Sequence, residues 1–88
     1  MAAVRLILHG KVQGVFYRDW TVSTARNFGL TGWVRNLPDD TVEAWLEGET
    51  TVIDRMIAAM QDGPPRACVD KIEREDVETE GFASFERR

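Results

Sequence analysis

An α+β fold, with two helices on one face of an antiparallel sheet, is predicted by three features of the chain. Two segments carry apolar residues at helical spacing. Short alternating or apolar runs that read as strands surround them. The order of these segments is strand, helix, strand, strand, helix, strand, with a short terminal strand. That order is the split βαβ, or ferredoxin-like, arrangement.

Each element has its own warrant. Val4, Leu6 and Leu8 alternate with Arg5, Ile7 and His9, a period of two that marks a strand with one buried face. Tyr17, Thr21, Ala25 and Phe28 recur at helical spacing, and Gly29 stands where helices stop. Residues 31–36 and 41–47 read as strands. The Leu37-Pro38-Asp39-Asp40 turn between them makes a hairpin. Thr51 and Asp54 have the spacing of a capping box, with Asp in the role of Glu. Ile53, Met56, Ile57 and Met60 follow at i, i+3, i+4 and i+7, and Gly63-Pro64-Pro65 ends that helix. Residues 68–77 form the fourth strand, with a bulge expected where Val69 and Ile72 break alternation. A last short strand is expected over 84–87.

Composition limits the function. The 88 residues are expected to make a single domain, 1–88, with one modest core. A hydrophobic content of 43% with 30% charged residues is ordinary for a soluble protein. No apolar run approaches the ~20 residues that span a bilayer. The start has no signal-peptide pattern, and lone Cys68 cannot form an internal disulfide. A cytoplasmic location without membrane contact is therefore expected, and the chain is taken to be a monomer. The formal net charge is −4, but it is unevenly spread. Residues 1–36 carry five basic side chains against Asp19 alone; residues 37–88 carry six against fourteen acidic ones. Such a balance fits a small anionic ligand and argues against nucleic acid, which wants a broad basic face.

The stretch Gly10 to Arg18 carries the chemistry. Two glycines four apart let the backbone curl between a strand and a helix. A curled loop at a helix N-terminus gathers N–H groups at one point and favours an anion. Arg18 ends the loop, where its planar fork suits phosphate oxygens. The P-loop of nucleotide hydrolases is excluded, because Gly14 precedes Val15-Phe16-Tyr17 rather than Lys-Ser/Thr. On spacing alone, a tight strand-to-helix turn explains the stretch equally well, and Asn36 reads as a strand-end turn residue.

Gly10-Lys11-Val12-Gln13-Gly14-Val15-Phe16-Tyr17-Arg18 resembles the first signature of the acylphosphatases. Gly32-Trp33-Val34-Arg35-Asn36, followed by Thr41-Val42-Glu43 and Gly48, resembles the second. The resemblance runs from Val4 to Phe85. It implies hydrolysis of small acyl phosphates to carboxylate and inorganic phosphate, with Arg18 and Asn36 catalytic. The backbone of Gln13, Gly14, Val15, Phe16, Tyr17 and Arg18 would cradle the phosphate. Asn36 would orient an attacking water. Neither metal nor cofactor is expected. The family usually has Gly where this chain has Asp40, so Asp40 is expected to hold a positive φ.

Other residues have plainer readings. His9 should lie on the sheet face away from the helices and is therefore not expected to act as a base. Cys68 has no His partner, and Trp33 and Trp45 read as packing residues. Glu73, Glu75, Asp76 and Glu78 read as a solvated acidic run, since no calcium-loop pattern surrounds them. Split βαβ domains also serve as binding modules for RNA or protein without catalysis. The acidic balance and the lack of an aromatic strand motif count against that alternative. The domain also resembles the acylphosphatase-like part of carbamoyl-transferring hydrogenase-maturation proteins.

Overall fold

A computed structural model describes all residues, 1–88. Seven elements follow one another: β1 (Ala2–Lys11), α1 (Tyr17–Asn27), β2 (Thr31–Asn36), β3 (Val42–Gly48), α2 (Thr50–Asp62), β4 (Cys68–Val77) and β5 (Phe85–Arg87). One five-stranded sheet has the order β4-β1-β3-β2-β5. The expected split βαβ arrangement is therefore present.

Alternation sorts the side chains of the sheet. Val4, Leu6 and Leu8 of β1, Val34 of β2, and Val42, Ala44 and Leu46 of β3 share the core face. Ile53, Met56 and Met60 of α2 and Tyr17 and Ala25 of α1 pack in the same core. Burying a side chain of this size is worth about 1.5–3 kcal/mol. The Tyr17 hydroxyl donates to Met60 O at 2.7 Å, which joins the start of α1 to α2. Burial pushes the Tyr17 phenol up from its ordinary value.

The opposite face carries paired polar and aromatic groups. Buried Glu43 lies between Arg5 and Arg35 and pairs with both. Trp33 and Trp45 stack at 6.2 Å across the β2–β3 pair. His9 lies on this face too, its Nε2 2.9 Å from Glu73 Oε2.

The expected bulge sits at Asp70. His9 pairs with Lys71 and Gly10 with Val69, which leaves Asp70 unopposed. Gly10 is required there: its φ is 121°, and a Cβ would lie 2.1 Å from Cys68 O.

Two expectations need correction. The capping box at Thr51 and Asp54 does not form. Helix α2 starts two residues earlier than that box requires, with Glu49 as an N-cap that makes no side-chain cap. Thr51 thus lies inside the first turn, and Asp54 pairs instead with Arg74 at 3.1 Å.

The second correction concerns β5, which runs parallel to β2 in an otherwise antiparallel sheet. The cause is the route of the chain. Val77 ends β4 opposite Ala3, at the end of the sheet where β2 begins. Residues 78–84 then cross the open face at that end. The Glu47 carboxylate accepts the N–H groups of Glu80 at 2.7 Å and Gly81 at 3.1 Å. The Phe82 ring meets Trp45 edge-on at 6.3 Å. A strand that starts there runs beside β2 in the same direction. Burial alone would push the Glu47 carboxyl up. The N–H donors of Glu80 and Gly81 and the Trp45 indole overcome that and hold it below the usual carboxylate range.

Candidate active site

The loop from Val12 to Phe16 joins β1 to α1. Val12 and Val15 are buried, so two side chains pin the loop into the core. The chain between and beside them must turn sharply, and it does so at Gly14 (φ 72°) and Phe16 (φ 63°). Open space surrounds the position of a Gly14 Cβ, so glycine is favoured there by its backbone angle and not by crowding. Phe16 is the N-cap of α1 and offers no side-chain cap. The helix's first-turn N–H groups therefore face outward with no capping side chain, at the positive end of the helix dipole.

A cavity of about 380 Å³ lies over this helix start. Gln13, Gly14, Phe16, Tyr17, Arg18 and Asn36 line it, bringing together residues up to 23 positions apart in the chain. Val15, the remaining residue expected in the loop site, packs its side chain in the core, which leaves only its backbone for the site.

Asn36 arrives from the other side. It ends β2, two residues beyond Val34 and on the same face, toward the helices. Its Oδ1 is buried and has no hydrogen-bond partner within the protein. A buried acceptor left unpaired is costly and rare. It fits a group that pairs with water or ligand in the cavity.

Gln13 fixes the distance between these two parts. Its Nε2 donates to Leu37 O and to Thr41 O, both at 2.8 Å. Leu37 follows Asn36 directly. The side chain of Gln13 thus straps the loop to the hairpin that carries Asn36.

Two charged cavity residues escaped the sequence analysis. Asp19 and Arg87 both line the cavity and pair with each other at 2.8 Å. Arg18 Nη1 also donates to Arg88 O at 3.1 Å. These contacts exist because β5 runs parallel to β2, which delivers its end beside Asn36 and the loop. A three-residue strand leaves too short a pattern to foretell this.

The other candidates lie elsewhere. His9 faces the open side of the sheet, hydrogen-bonded to Glu73. That contact, with Lys71 adding its charge, holds the Glu73 carboxyl below the usual range. Cys68 is exposed, its Sγ 3.9 Å from Asp70 Oδ1. No three His, Cys, Asp or Glu side chains converge on a common point. The cavity therefore offers a concave cluster of N–H donors, an arginine fork, and an amide oxygen that needs a donor. It can bind an oxyanion and orient a water, and its one carboxylate is held by an arginine.

Comparison with known proteins gives one answer. A protein-family model described as acylphosphatase matches residues 4–87. A curated acylphosphatase of Acaryochloris marina is 46% identical over 83 residues, covering 94% of this chain and 89% of its own length. One from Acidiphilium cryptum is 42% identical and covers 100% and 97%. The crystal structure of acylphosphatase from Bacillus subtilis superposes with a TM-score of 0.98 at 31% identity, covering 100% of this chain and 99% of that one. Full-length HypF, in a phosphate- and nucleotide-bound structure, contains a similar unit at a TM-score of 0.88 and 26% identity. This chain covers 12% of that one.

Proposed function

The chain belongs to the acylphosphatase family, and we propose that Arg18, Asn36 and the Gln13–Arg18 backbone carry its reaction. The enzyme is an acid-anhydride hydrolase that converts acyl phosphates to carboxylate and inorganic phosphate. The observation that carries the proposal is that Asn36 and Arg18 line one cavity, with the Asn36 Oδ1 left unpartnered within the protein.

The carboxyl–phosphate bond makes modest demands. A carboxylate leaves readily, so its departure needs no strong general acid. The loop N–H groups and the Arg18 fork bind the phosphate oxygens, where charge is spread in the transition state. Asn36 Oδ1 accepts one O–H of a water, which turns a water lone pair toward phosphorus. The new bond forms between the water oxygen and phosphorus. The bond from phosphorus to the acyl oxygen breaks, and its electron pair leaves with the carboxylate. A phosphate oxygen takes the water's proton, so no protein base is required. Holding the two reactants in line supplies much of the acceleration.

The same reading takes the chain as a single-domain cytoplasmic monomer that acts on small acyl phosphates and not on nucleic acid. Its support is the acidic net charge of −4 with the positive charge gathered in residues 1–36, and no helix is long and apolar enough to cross a membrane. The test is turnover of acetyl phosphate in the presence of EDTA. Hydrolysis should persist, and phosphate monoesters should be poor substrates. Abolition by chelator, or equal turnover of a monoester, would contradict the proposal.

A further inference from the structure

Three local rules are broken together at Phe16. The residue is 73% exposed, although Val15 and Tyr17 on either side are buried. Its backbone lies at φ 63° and ψ 25°, a region that crowds a Cβ. It also occupies the N-cap of α1, a position that favours Ser, Thr, Asp or Asn, and it caps nothing. The buried neighbours explain the backbone turn. They do not explain a phenyl ring, since Gly or Asn meets the same turn at less cost. Strain of this kind gathers where the side chain serves a ligand.

Phe16 lines the cavity that holds Arg18 and Asn36. The phosphate occupies the polar part of that cavity, against the loop N–H groups. In-line attack places the leaving group opposite the water, so the acyl substituent points away from Asn36. Arg87, on the same cavity, is paired with Asp19 at 2.8 Å. We propose that the Phe16 ring is the acyl-recognition surface, which selects acyl phosphates whose acyl group is apolar, aryl or branched alkyl. An apolar acyl group laid on the ring removes both surfaces from water. The inference rests on the phosphate-site reading above and adds the substrate class to it.

The test compares kcat/KM for benzoyl phosphate and acetyl phosphate in the wild type, Phe16→Ala and Phe16→Leu. The ratio of the two reads the ring, because any change in the shared phosphate cradle cancels. It should fall about tenfold in Phe16→Ala, the scale of a lost apolar contact, and recover in part in Phe16→Leu. The inhibition constant for inorganic phosphate should move less than the ratio. An unchanged ratio in Phe16→Ala, or an equal loss on both substrates, overturns the acyl assignment while leaving the phosphate site standing. A wild type that turns over neither substrate overturns the phosphate-site reading and this inference with it.

Discussion

Phe16 and Asp40 are the two residues other than glycine with a positive φ, at 63° and 71°, and their surroundings differ. Asp40 sits in a turn tied on every side. Leu37 N–H donates to Thr41 O at 2.9 Å, and Asp40 N–H to Leu37 O at 3.3 Å. Asp39 Oδ1 accepts both the Thr41 hydroxyl and the Thr41 N–H. Phe16 is exposed, has no cap, and lines a cavity. Both pay about 1–2 kcal/mol for the left-handed backbone. Around Asp40 local hydrogen bonds offset the cost, so the strain is a property of the turn. At Phe16 the burial of Val15 and Tyr17 imposes the turn, and what the cavity binds is the proposed reason for a phenyl ring there.

Gln13 joins the two regions, and removing it should have the largest effect on their stability and spacing together. Gln13→Ala removes one of the two donors from each of Leu37 O and Thr41 O, which keep the N–H groups of Asp40 and Leu37. Unfolding in urea should show a loss of about 1–3 kcal/mol. Because the strap sets the spacing between the loop and Asn36, kcat should also fall about tenfold or more. A loss of stability with full kcat would show that the two regions hold their spacing without the strap.

Substituting glycine at each strained position sharpens the contrast. Asp40→Gly relieves the Cβ, and greater unfolded-state entropy partly offsets the gain. Its stability should be neutral to improved, by at most about 1 kcal/mol, with activity unaltered. Phe16→Gly should change stability by a similar amount and yet lose discrimination between acyl groups. If Asp40→Gly is clearly destabilising in urea, the strain assigned to that turn is wrong.

The smallest effect is in acid. The Thr41 hydroxyl and then the Thr41 N–H hold the Asp39 carboxyl below its ordinary value of 3.8. A lowered folded-state pKa means the tie contributes above the ordinary value and is lost as pH falls through the lower one. The Thr41 amide resonance should shift at low pH, and Asp39→Asn should remove the step. A step that survives the substitution would assign the titration to another group.

Much of this was legible in the sequence, for physical reasons. Alternation in β1 and the 3.6-residue spacing in α2 report burial directly, so those elements and the hairpin between β2 and β3 stand where expected. The bulge at Asp70 was visible as a break in alternation, and the positive φ of Asp40 as a departure from a family's glycine. That Arg18 and Asn36 would line one cavity was readable from two local signatures. The failures depended on long-range contacts. Thr51 and Asp54 have capping-box spacing, but the helix begins at Thr50, and Arg74 on β4 takes Asp54. The direction of β5, and with it the arrival of Arg87 at the cavity, depends on Glu47 binding residues 33 and 34 positions away. No local pattern encodes such a crossing. The strain at Phe16 follows from burial on both its sides, which the sequence shows only as a run of apolar residues.

The central claim divides labour between a loop that holds phosphate and an amide that holds water. Its most direct test measures kcat and the Kd for inorganic phosphate together, in Arg18→Ala and Asn36→Ala. Arg18→Ala should lose both phosphate affinity and rate. Asn36→Ala should keep a phosphate Kd close to that of the wild type while kcat falls by about 10²–10³, the scale of one lost transition-state contact. Wild-type kcat in Asn36→Ala, or undiminished phosphate binding in Arg18→Ala, would contradict the account.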